Sequence, residues 1–202
     1  IKEKFMKRNF FVTIFFVFGL IQESFAYSSD PKQFITEIVD EAKKILIATN
    51  TKEVKSKKLS ALALETVDIK GVAFYSLGKY RKELNDENLK EYLILFEKYF
   101  LKSFTSRLTD YSDPKINVVS TEVLNEKYTI VKSILLATDK RPEVKIEWRV
   151  YTKNPDKPQI RDLIIEGLSL ARTQKEEFTS VMHSNNGDVS KLFDTLKEFI
   201  AK

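Results

Sequence analysis

The sequence predicts an α+β domain: a four-stranded antiparallel sheet with helices packed on one face. Apolar residues recur at intervals of three and four from residue 34 to residue 111. They alternate with polar ones between 115 and 166, and they return to helical spacing after 172. No internal repeat, low-complexity stretch or linker interrupts this order, so residues 27–202 read as one domain. Residues 1–26 stand apart from it.

Met6 is the first methionine and the expected start of translation, and Lys7 and Arg8 follow it. Phe10 to Ile21 is then built of Phe, Val, Ile, Leu, one Gly and one Thr, and Ser24-Phe25-Ala26 ends the segment with small residues at its first and third positions. That is the layout of a secretory signal peptide cleaved after Ala26. The apolar run is shorter than the roughly 20 residues of a membrane-spanning helix; an uncleaved inner-membrane anchor is the alternative. No cysteine follows the run, which rules out a lipoprotein anchor. Lys2, Lys4, Lys7 and Arg8 would leave with Glu3 and Glu23, so the net charge would fall from +5 to +3. A balance so close to neutral gives no argument for nucleic acid. With no cysteine and one histidine, thiol nucleophiles, zinc clusters and iron–sulfur centres are excluded.

The elements follow in order. Asp30-Pro31 is an N-cap with proline at the first helical position, and Phe34, Ile35, Ile38, Val39, Ala42, Ile45 and Leu46 form an amphipathic stripe behind it. Lys52 to Glu65 continues in helix formers. A short helix runs from Asp68 to near Gly78. Asn85 opens the longest helix, with Leu89, Tyr92, Leu93, Phe96, Phe100, Phe104, Leu108 and Tyr111 on one face, and Asp113-Pro114 is expected to end it. Strands are expected over 115–124, 128–137, 143–153 and 159–166, joined by short connections with turn chemistry. Val144, Ile146, Trp148 and Val150 alternate with Lys145, Glu147, Arg149 and Tyr151, the mark of a half-buried strand. Residues 172–183 form one further helix, and Asp188 caps the last.

Candidate chemistry is sparse. Gly167-Leu168-Ser169-Leu170-Ala171 looks like a nucleophile elbow that lacks its last glycine, and its only possible base is His183, about three turns into the next helix. A strand-to-helix turn with Ser169 as N-cap accounts for it more simply. Asp162 and Glu166 share a strand face about 13 Å apart, wider than the roughly 5 to 9.5 Å of paired glycosidase carboxylates. They read as a structural acceptor and a strand-end charge. Lys52, Lys55, Lys57 and Lys58 form a basic cluster, either a solvated helix face or an attraction to anionic headgroups or an acidic partner. The aromatic residues from Phe74 to Tyr111 crowd two consecutive helices. They fill a core or line an apolar cavity between helices and sheet, and pattern alone does not separate the two.

Two segments bring in a family. Val67 to Tyr80, VDIKGVAFYSLGKY, resembles a signature of the MlaC (toluene-tolerance) family, with Phe96, Tyr99, Phe100 and Leu101 placed as in that family. Asp162 to Leu170, DLIIEGLSL, resembles the family's strand end, and Lys175 to Phe178 and the Gly187–Leu196 helix continue the match. One departure is Arg81, where relatives often carry a second aromatic.

The resemblance implies a monomeric periplasmic carrier that binds phospholipid as cargo, with no cofactor, no metal and no catalytic residue. Its implied partners are an inner-membrane ABC transporter with an MCE domain and an outer-membrane lipoprotein complex, which together maintain outer-membrane lipid asymmetry. Two acyl chains of roughly 16 carbons cost on the order of 20 kcal/mol to expose to water, so such a carrier must bury both. Phe74, Leu77, Phe96, Phe100, Trp148, Val150 and Ile164 are the residues expected to line the acyl-chain cavity. The rival readings are an exported α+β interaction module with a filled core and a cone-fold enzyme, which would need a polar constellation in its pocket.

Overall fold

The computed structural model describes residues 27–139 and 141–202. The expected signal segment, residues 1–26, lies outside the described residues. Helix α1 spans Pro31–Ile47, α2 Lys52–Thr66 and α3 Ile69–Leu77, with a 3₁₀ turn at Gly78–Lys82 before α4, Asp86–Leu108. Strands β1 (Ile116–Asn125), β2 (Tyr128–Leu135), β3 (Val144–Tyr151), β4 (Gln159–Ile165) and β5 (Leu168–Ser169) follow, then α5 (Leu170–Ser184) and α6 (Val189–Ala201). All strands pair antiparallel in sequence order. The α+β architecture is the one expected, and β3 is its central strand. Among the described residues no helix is long and apolar enough to cross a membrane.

Local chemistry sets the boundaries. The side chains of Asp30, Thr51, Asp68, Asn85, Ser169 and Asp188 each accept a backbone N–H from the first turn of the helix they precede, filling donors that the helix leaves unpaired. Helix α4 stops at Leu108, short of Asp113-Pro114. Its last turns are rich in hydroxyls, and Ser106 and Thr109 donate to the carbonyls of Ser103 and Thr105, a competition that weakens a helix end.

The sheet has five strands where four were expected. Glu166 and Gly167 both adopt positive φ, 49° and 81°, and turn the chain back so that Leu168 pairs with Ile165 and Ser169 with Ile164. A two-residue strand is too short to leave an alternation in the sequence.

The buried side chains fall into two clusters. One joins α3, α4, α5 and α6 around Leu77, Tyr92, Phe96, Phe178, Met182, Leu192 and Leu196. The other joins α1 and α2 to the sheet around Phe34, Ile35, Leu59, Val131, Val150 and Ile160. The clusters meet where the chain passes from α2 to α3. There Val67 bridges to Ile160, the Asp68 N–H donates to the Ile160 carbonyl at 2.9 Å, and the Asp68 carboxylate pairs with Arg161 at 2.6 Å.

Candidate functional site

A strip of half-buried apolar side chains lies over the middle of the sheet. Register places Trp148 opposite Val131 and Leu163, and Ile146 opposite Ser133 and Ile165. Because strand side chains alternate, these residues share the face that cluster residues Val131 and Val150 occupy. Val131 and Val150 are fully buried, whereas Ile146, Trp148, Leu163 and Ile165 are only half-buried. Trp148 sits at the margin of the sheet cluster, and the other three lie outside both clusters. Helix α1 packs along β1 and β2, and α3 and α5 pack along β4, but among the described residues no helix packs closely along β3. The outcome is a half-buried apolar strip over β3, with Trp148 at the edge of the sheet cluster.

Helix α4 bounds the same region. Phe100 packs against the helical cluster and Phe104 against the sheet cluster. Their rings stack 5.9 Å apart at 8°, and Phe96 stacks on Phe100 at 6.3 Å. Both Phe100 and Phe104 are half-buried. Polar groups here are few and satisfied: Trp148 donates its indole N–H to Ser133 Oγ at 2.8 Å.

The seven expected site residues separate into groups. Phe100 and Trp148 lie at the margins of the strip. Leu77, Phe96 and Val150 are at most 1% exposed, packed into the clusters behind it. Phe74 is half-buried with the Arg81 guanidinium 3.8 Å from its ring centre. Ile164 pairs with Glu147 and lies on the opposite face from Trp148 and Leu163. Ile146, Leu163, Ile165 and Phe104 were not in the expected set. The β3 alternation already placed Ile146 beside Trp148. In β4 a bulge at Arg161 shifts the parity, so that Leu163 rather than Ile164 shares the face of Ile160.

Polar residues that suggested catalysis have structural work instead. Asp162 is buried and accepts from Ser169 Oγ at 2.6 Å, from the Ala171 N–H at 2.9 Å and from Arg149 at 3.4 Å. Ser169 caps α5 by accepting the Arg172 N–H. His183 sits in the last turn of α5, about 20 Å along the axis from Ser169 at 1.5 Å per residue, too far to act as its base. Glu166 accepts from the Lys145 N–H at the turn. In the basic cluster on α2, Lys52 pairs with Asp110, Lys57 with Glu53, and Lys55 donates to the Leu46 carbonyl. Among the described residues no group of three or more His, Asp and Glu is arranged to hold a metal ion.

Fold and strip together define an α+β domain with a half-buried apolar strip over its central strand. The family model for MlaC protein matches residues 32–198, and the chain belongs to the MlaC family. Among solved structures, it resembles a phospholipid-binding protein from Ralstonia solanacearum determined in complex with a phospholipid. The TM-score is 0.70 at 19% identity, covering 86% of this chain and 97% of that one. At that identity the likeness shows a shared fold. No curated protein matches the chain.

Proposed function

We propose that this chain is a periplasmic carrier that holds a phospholipid with its acyl chains over β3. The observation that carries the reading is the strip of Ile146, Trp148, Leu163 and Ile165, half-buried and apolar, over β3, the long strand along which no helix packs closely among the described residues. Family membership and the phospholipid in the similar structure from Ralstonia solanacearum support it. Trp148 and Phe100 contact the tails, and Leu77, Phe96 and Val150 form the packed walls behind them. Phe74 contributes at the periphery, whereas Ile164 faces away from the tails.

An apolar interior of this kind makes transfer from a bilayer nearly isoenergetic, since the tails leave one hydrocarbon surrounding for another. Direction is then set by partners: an inner-membrane ABC transporter bearing an MCE domain and an outer-membrane lipoprotein complex. No step of binding or release requires bond chemistry from this chain. Export through residues 1–26 places it between the membranes and gives a mature N-terminus at Tyr27.

Native mass spectrometry of protein purified from cells tests the reading. A bound mass in the phospholipid range, released on denaturation, is expected, together with a mature chain that begins at Tyr27. Bare protein alone would rule out the carrier.

A further inference from the structure

The flank built by α3, the 3₁₀ turn and α5 carries a second feature, which the lipid strip does not use. An open groove of about 650 Å³ lies there between Tyr75 of α3 and Arg172, Lys175, Thr179 and His183 of α5, with Glu176 the one carboxylate among its described lining residues. One of its cations, Lys175, is held by an aromatic face rather than by a carboxylate. The Lys175 ammonium lies 5.1 Å from the Tyr75 ring centre, and the Lys175 stem crosses Gly78, where a Cβ would stand 3.0 Å from Lys175 Cε. Beside Tyr75, Phe74 carries Arg81 at 3.8 Å and Lys70 at 5.7 Å. None of Lys70, Arg81, Arg172 and Lys175 is among the ion pairs of the described residues. The basic cluster on α2 differs, because two of its four lysines are paired with carboxylates.

Cations on ring faces keep their charge while their direction is fixed, so little order is lost when an anion arrives. Tyr75, 46% exposed at the groove, is the residue type favoured at the headgroup level of a bilayer. From this juxtaposition we infer that the α3–α5 flank docks the chain on an anionic phospholipid surface, with lipid phosphates meeting Arg172 and Lys175 in the groove and Lys70 and Arg81 beside it. The inference deepens the carrier reading by naming the face that meets the membrane. It can fail without that reading failing, because cargo and docking are measured separately.

The test is co-sedimentation of the protein with vesicles of phosphatidylcholine alone and of phosphatidylcholine with phosphatidylglycerol, at low and high salt. Binding is expected only to the phosphatidylglycerol vesicles and is weakened by salt. The double substitution Arg172→Ala, Lys175→Ala should weaken it by about thirtyfold, at roughly fivefold per cation, and Lys70→Ala with Arg81→Ala by a similar factor. Lys52→Ala with Lys57→Ala removes equal charge from α2 and should leave binding unchanged. Lys175 is half-buried and the other side chains are exposed, and unchanged thermal melting shows that each variant is folded. If the parent protein ignores phosphatidylglycerol vesicles, the flank is not a membrane dock, and its charge then suits an acidic protein instead. Equal weakening by the α2 pair would reduce the effect to net charge and overturn the inference as well.

Discussion

Asp162 shows how much of the fold rests on single polar side chains. Its side chain is 2% exposed and receives Ser169 Oγ, the Ala171 N–H and Arg149 at once. It therefore ties the last long strand to the first turn of α5. Asp162→Ala would leave a buried N–H and a guanidinium unpaired, and a loss of about 2–4 kcal/mol is expected in denaturant melts. Tyr92 is the apolar counterpart. Burial raises the pKa of its phenol far above 10.0, and the hydroxyl donates to the Ala73 carbonyl at 3.0 Å. Folding therefore holds this proton more tightly than the unfolded chain does. Its contribution to stability is complete below pH 10 and is lost as the pH rises beyond it. The melting temperature should fall above about pH 10. In Tyr92→Phe that fall should be shallower, at a cost of about 1 kcal/mol at neutral pH for the lost hydrogen bond.

Among the elements, the two segments that resemble the family turn out to be joints between helices and sheet. In the first, Asp68 caps α3 through the Gly71 N–H and pairs with Arg161 of β4. A Cβ at Gly71 would stand 2.3 Å from Asp68 Oδ2, so a side chain there would push the carboxylate away from both partners. In the second, Asp162 fixes α5, while Glu166 and Gly167 make the turn into β5. Joints need particular residues at particular spacings, so they are legible in sequence. The apolar strip is not. Any of several branched residues serves as well at Ile146 or Leu163, and the bulge at Arg161 reverses the face on which β4 residues lie. Period two therefore found β3 and its inward face but chose Ile164 over Leu163. The six helices were legible, α2 from its run of helix formers and the others from their caps or stripes. That the aromatic residues of α4 divide between two clusters was not, since a helix face looks the same whether it meets one core or two.

At the scale of the molecule the division itself is the informative fact. A domain of this size usually has one contiguous core, yet here a helical cluster and a sheet cluster meet only at their margins, and Ile146, Leu163 and Ile165 over the sheet belong to neither. If that space receives acyl chains, bulk added there should behave differently from bulk added within a cluster. Leu163→Trp places a large side chain over β3, beside Trp148, where the half-buried surroundings can take it. The variant should fold with a melting temperature near that of the parent protein, while the phospholipid recovered with it falls. Leu77→Trp makes the opposite test. Leu77 is fully buried in the helical cluster, so the same added volume is overpacking and should cost roughly 1–3 kcal/mol. Thermal melting and lipid extraction on the same preparations separate the two sites. Lipid lost without stability in Leu163→Trp, and stability lost in Leu77→Trp, would establish that the cargo lies over β3. If Leu163→Trp were destabilised like Leu77→Trp, with no lipid in the parent protein, the strip would be ordinary packing and the carrier reading would fall.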